Sequence, residues 1–176
     1  AAVIQRGHAD VMIAGGSCSR VGVAPSLYRG MDRLSSSVDT PQEACRPFDA
    51  RRDGAVNGEG SAAFVLERED LAVARGAKIL ARLRGWGQTF ARPEEGRVTQ
   101  HAIRRSIEQA LVHAKMESDA VGHVNAHASG QLAEDANEAQ AIHQVLGDVP
   151  VTAPKSFIGD IGSSGGVVEM VASVLA

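Results

Sequence analysis

From residue 99 onward, helical apolar spacing alternates with short apolar runs, and this alternation most narrows the choice of fold. Ile103, Ile107, Ala110, Leu111 and Ala114 recur at the spacing of one helix face within residues 99–115. Residues 121–126 then read as a strand. Residues 135–146 read as a helix, opened by a capping-box pattern Asp135-x-x-Glu138 and stopped by Gly147. Residues 149–153 predict another strand, and a glycine- and serine-rich loop leads into a last apolar helix. That order argues for an α/β chain with a largely parallel sheet covered on both faces.

Upstream, residues 9–16 and 61–67 are short continuous apolar runs between turn residues, the pattern of strands buried on both faces. Residues 79–86 predict a third strand with Arg82 and Arg84 on a solvated face. Residues 69–75 read as a short helix stopped by Gly76. The stretch 17–60 is irregular, with a short helical turn expected near 28–34, and a loop that long is usually functional. Residues 1–7 read as a helix tail closed by Gly7, and residues 171–176 break off within an apolar helical run. Both ends therefore look cut, and the expectation is a piece of a longer polypeptide.

Composition excludes several function classes. Of 176 residues, 44% are hydrophobic and only 3% aromatic, so the core must be built from Ala, Val, Ile and Leu. A net charge of −3 carries no basic surplus for nucleic acid. No apolar stretch approaches the roughly 18 residues of a membrane span. Cys18 and Cys45 lack metal-type spacing and suit a reducing, cytoplasmic setting better than a disulfide framework. Neither a metal nor a cofactor is expected.

Two residues stand where chemistry is plausible. His127 ends a predicted buried strand and is followed by Ala128-Ser129-Gly130, small residues that admit a ligand or another backbone. Lys155 ends the next strand, ahead of Gly159-Asp160-Ile161-Gly162-Ser163-Ser164-Gly165-Gly166. That loop lacks both the Lys-Ser/Thr ending of a P-loop and the dinucleotide spacing. A structural histidine and a solvated lysine are the bland alternatives. The other five histidines (His8, His101, His113, His123, His143) have no such setting.

Taken together, the spaced motifs resemble β-ketoacyl synthases over roughly residues 3–176. The family's His-Gly-Thr-x-Thr-x-x-x-Asp-x-x-Glu-Ala pattern matches at His127, Asp135, Glu138 and Ala139, with Ala128 and Gln131 replacing a Gly and a Thr. Its Lys-Ser-x-x-Gly-His pattern appears as Lys155-Ser156-Phe157-Ile158-Gly159-Asp160, with Gly166 and Glu169 in place beyond. Upstream, residues 9–16, Arg46-Pro47-Phe48-Asp49, Arg52-Asp53-Gly54 and Gly58-Glu59-Gly60 resemble further family motifs. Gln88-Thr89-Phe90-Ala91-Arg92-Pro93 does not reproduce the family's pattern.

The resemblance implies a thiolase-like fold, layered α/β/α/β/α. Residues 1–76 would be the end of the N-terminal half and 77–176 a truncated C-terminal half. It implies acyltransferase chemistry of fatty-acid or polyketide synthesis, joining an acyl thioester to the carbanion left by decarboxylating malonyl-carrier protein. The nucleophilic cysteine would lie upstream of this chain, and neither Cys18 nor Cys45 matches its position. His127 would donate to the forming enolate, while Lys155 would act electrostatically, paired with Glu138. Asp135 would support the loops, and Asn125 and Glu169 fall where some relatives surround a monovalent cation. Asp160 stands where the family carries its second histidine, and an ionised carboxylate is acceptor-only. Implied partners are acyl carrier protein and a second ketosynthase chain, as homodimer or heterodimer. The alternative is a non-catalytic homologue resembling a chain-length factor; a degradative thiolase fits the motifs less well.

Overall fold

The computed structural model describes residues 1–19, 33–37, 39–91 and 97–176, without the side chains of 97–99. Helix α1 (Ala2–Gln5) ends at Gly7, whose φ of 73° is the left-handed turn expected of a terminating glycine. Strand β1 (Val11–Cys18) pairs antiparallel with β2 (Gly60–Glu67), Val11 opposite Glu67 and Cys18 opposite Gly60. The parallel pairing expected of the later half does not extend to this earlier pair. Nor is this pair buried on both faces. Ala14, Gly16 and Cys18 lie on a half-buried face with Ala62 and Phe64, whereas Ile13 is 74% and Val65 66% exposed on the other.

The half-buried face rests on the 162–164 turn. A Cβ added to Gly16 would lie 3.0 Å from Ser164 Cα, so the missing side chain is what lets the strand approach. The Ser164 hydroxyl, fully buried, donates to Gly60 O at 2.9 Å and closes the contact. Residues 33–37 and 39–59 are described in the segment between β1 and β2. Its described residues pair Leu34 with Ala55, and Asp53 accepts from the hydroxyls of Ser35 (2.6 Å) and Ser36 (2.8 Å). Those bonds, the Ser35 hydroxyl foremost, hold the Asp53 carboxyl below its ordinary range. The helical turn expected near 28–34 falls almost wholly outside the described residues.

Helix α2 (Glu69–Ala74) is followed by Gly76 at φ 70°. Residues 79–86 form no strand, contrary to expectation, because no backbone ladder receives them among the described residues. The segment runs instead against α3 (Arg97–Ala114). A Cβ on Gly87 would sit 1.9 Å from Ser106 O, and Ser106 donates its hydroxyl to Gly87 O at 3.1 Å. The Trp86 N–H donates to His113 Nδ1 at 3.3 Å, which makes His113 a packing residue.

Strand β3 (Val124–Asn125), helix α4 (Leu132–Leu146) and strand β4 (Val151–Thr152) form a crossover unit in which β3 and β4 are parallel. This is the parallel pairing that the alternation predicted, with each strand shorter than anticipated. The core lies beneath it: Ala126, Ala128 and Ile142 are buried, with Phe48, Ile107, Val124, Leu146, Val149 and Ala153 packed around them. Helix α5 (Lys155–Ile158) and α6 (Gly165–Leu175) complete the chain.

Candidate active site

The crossover unit delivers His127 to the C-terminal end of β3, the rim where open α/β sheets hold ligands. The next residue, Ala128, has φ 49°, a left-handed conformation costing about 1 kcal/mol without glycine. Helix α4 holds this bend. Glu138 Oε1 accepts the His127 N–H at 2.7 Å, and Oε2 accepts the Ala128 N–H at 2.8 Å. Asp135, on the same helix face, accepts the Gly130 N–H at 3.0 Å and lies 3.3 Å from Ser129 Oγ.

Neither carboxylate caps the helix, as the capping-box reading supposed. α4 begins at Leu132 with Gln131 as N-cap and no side-chain cap bond. Side chains on a helix lean toward its N-terminus, so acids three residues apart reach back over the preceding loop together. That directionality was the available signal for their role. Replacing Glu138 by Gln leaves one acceptor and turns an NH₂ toward backbone donors. It is expected to cost about 2 kcal/mol and to speed amide exchange at His127 and Ala128, read by hydrogen–deuterium exchange.

Asp135 also reaches across to the 46–52 loop. It is 0% exposed, accepts the Phe48 N–H at 2.9 Å and faces Arg52 Nε at 3.2 Å. Phe48 has φ 62°, so this bond holds a strained residue over the core. Arg52 further donates to Asp49 O (2.9 Å) and Leu132 O (2.8 Å), stitching loop to helix.

Lys155 is only 2% exposed, and its ion partner is Glu169, 6% exposed on α6. The expected pairing with Glu138 is therefore corrected: Glu138 is spent on two backbone amides, and α6 brings Glu169 to the lysine. Lys155 Nζ also donates to His127 O at 2.7 Å and lies 3.3 Å from His127 Nδ1. Lysine has donors only, so a hydrogen bond here takes Nδ1 as its acceptor, the tautomer in which a neutral imidazole carries its proton on Nε2. His127 itself is exposed, so it is fixed from behind and open in front.

Asn125 donates to Glu169 O (2.7 Å) and Ser173 Oγ (2.9 Å), which ties β3 to α6. One oxygen of the Glu169 carboxylate is bound to Lys155, and Asn125 Oδ1 is buried without a hydrogen-bond partner. Among the described residues no group of three His, Cys, Asp or Glu side chains could hold a metal.

Asp160 is not joined to His127 by any hydrogen bond. Its Oδ1 accepts the Gly162 N–H at 2.9 Å, while its backbone pairs with Val56 O (2.6 Å) and the Gly58 N–H (2.8 Å). The residue that sequence reasoning passed over is Cys45, whose thiol donates to Lys155 O at 2.8 Å. Burial, then the nearby Asp160 charge, push the Cys45 thiol above its ordinary pKa, so it stays protonated at neutral pH.

This arrangement has relatives. The family described as Beta-ketoacyl synthase, N-terminal domain, matches residues 1–72, and that described as Beta-ketoacyl synthase, C-terminal domain, matches residues 80–176. The chain is similar to 3-oxoacyl-acyl-carrier-protein synthase 2 of Mycobacterium tuberculosis, 40% identical across 97% of this chain and 42% of the relative. It also superposes on a β-ketoacyl synthase from Burkholderia phymatum (TM-score 0.93, 33% identity, 99% of this chain and 43% of that one). A second superposition is on a type II polyketide ketosynthase structure with its acyl-carrier protein and a bound hexaketide (TM-score 0.91, 31% identity, 99% of this chain and 45% of that one). The chain thus spans about two fifths of its relatives' length, and the shared fold is the thiolase-like α/β fold. Matched by both family models in chain order, it belongs to the β-ketoacyl synthase family.

Proposed function

We propose that this chain is part of a condensing acyltransferase that extends an acyl thioester with a malonyl unit carried on acyl carrier protein. The observation carrying the reading is the contact of Lys155 Nζ with His127 Nδ1, which leaves Nε2–H as a donor toward the open side. When the malonyl thioester loses carbon dioxide, the C–C bond electrons pass to the thioester and create an enolate oxygen. His127 Nε2–H donates to that oxygen, the kind of preorganised stabilisation worth about 10²–10³ in rate per donor. The enolate carbon then attacks the acyl thioester carbonyl and expels the thiolate that held it. Lys155 and Glu169 orient His127, and Glu138, Asp135 and Asn125 hold the loops. Cys45, kept protonated, is not the nucleophile.

Residues 1–76 are proposed as the end of the N-terminal half and 77–176 as the C-terminal half, acting in the cytoplasm as a homodimer or heterodimer. Among the described residues no helix is long and apolar enough to cross a membrane. Asp160 favours a second reading, a non-catalytic partner, because an ionised carboxylate there repels both malonyl carboxylate and enolate. The test uses the longest expressed polypeptide carrying residues 1–176. Asp160→His is expected to raise malonyl-carrier-protein decarboxylation about tenfold or more, and His127→Ala to abolish it. No decarboxylation in either the parent or Asp160→His would sink the enzyme reading in favour of the partner.

A further inference from the structure

Lys155 opens α5, a helix of four residues (Lys155–Ile158). A single turn has little stability of its own, so tertiary contacts must set where the Lys155 main chain lies. One such contact is the Cys45 thiol, donating to Lys155 O at 2.8 Å beside the Gly159 N–H, which reaches the same oxygen at 2.8 Å. The Val56 backbone amide faces the Cys45 sulfur. Val56 O in turn accepts the Asp160 N–H at 2.6 Å, and Asp160 O accepts from Gly58. Cys45, Val56, Asp160 and Lys155 therefore close a ring, with residues 155–160 as its covalent side. Gly58 and Gly159 let the two backbones meet: a Cβ on Gly58 would lie 2.1 Å from Ile158 O.

We infer that Cys45 is a positioning residue: its thiol sets Lys155, and through Lys155 the ring orientation of His127. The inference rests on the proposed function for its kinetic consequence and on geometry alone for its structural one. Cys45 is suited to this task rather than to attack, since a protonated thiol is a donor and a thiolate is not. Stability fits the same sign. Burial, then the Asp160 charge, raise the thiol pKa, so its contribution is fully present below the ordinary cysteine pKa and is lost as pH rises through the raised one. Removing the thiol leaves Lys155 O with its Gly159 partner, so the fold survives and the effect falls on placement. Displacements on the order of 1 Å in a reacting group cost up to about 100-fold in rate.

The experiment compares Cys45→Ala and Cys45→Ser in the longest expressed polypeptide carrying residues 1–176, reading the His127 ring ¹⁵N shifts and condensation kinetics. Cys45→Ala is expected to shift the Nδ1 resonance away from its hydrogen-bonded position. It should lower kcat about tenfold while KM for the malonyl carrier protein stays within about twofold. Cys45→Ser keeps a donor and is expected to restore both. If Cys45→Ala leaves the His127 nitrogens unmoved, the inference is overturned whatever the kinetics show; so too if Ser behaves as Ala does. If the nitrogens respond as expected but no variant, parent included, condenses anything, the positioning role stands and the functional reading fails.

Discussion

Lys155→Met is expected to destabilise the fold by about 3–5 kcal/mol, the range for stripping one member from a buried ion pair. Methionine nearly matches the volume of lysine but donates nothing. Glu169, 6% exposed, would be left as an unpaired charge, and His127 O would lose its 2.7 Å donor. Adding Glu169→Leu should recover most of the loss, because the expensive species is the orphaned charge and not the missing attraction. The urea midpoints of the parent, the two single variants and the double variant measure this directly. Losses that merely add would show that the pair is not coupled.

Asp135→Ala should be comparably severe, about 3–5 kcal/mol. The carboxylate is 0% exposed and accepts from two backbone amides, Phe48 and Gly130, while facing Arg52 Nε at 3.2 Å. Alanine would leave both amides and a mostly buried guanidinium without their acceptor. Asp135→Asn should lose less, about 2–3 kcal/mol, since one acceptor oxygen remains but an NH₂ now faces N–H donors. The loss has a local signature. Phe48 sits at φ 62° and is held there by Asp135, so amide exchange should quicken at Phe48 and Gly130 before it does in α3. Uniform acceleration across the chain would instead mean that Asp135 supports the whole fold rather than the junction of the two loops.

The carboxylates show how far the sequence could be read. Asp135 and Glu138 were visible as an acidic pair three residues apart. Spacing, however, does not say whether acids cap their own helix or reach back to the loop before it. Here the start of α4 at Leu132 places them inside the helix, and both grip the His127 loop. For Lys155 the choice between Glu138 and Glu169 was not in the spacing at all. A turn, a glycine-rich loop and the entry of α6 separate Lys155 from its partner, and only their path brings the charges together. Residues 79–86 carry strand-like alternation, yet a strand exists only where another backbone accepts its hydrogen bonds. Among the described residues no backbone does so for this segment, which packs Gly85 and Gly87 closely against α3.

The two longer central helices and the last one, the glycine stops at Gly7, Gly76 and Gly147, and the family motifs were legible in the sequence alone, because apolar period, termination and motif spacing are properties of neighbouring residues. The positions of His127 and Lys155 at strand ends followed from the same local reading. Only the tertiary structure decided that β1 and β2 run antiparallel, that Glu169 rather than Glu138 neutralises Lys155, and that Cys45 meets the Lys155 carbonyl. Each is a contact between segments far apart in the chain, set by which surfaces can be buried together and not by any residue's own preference.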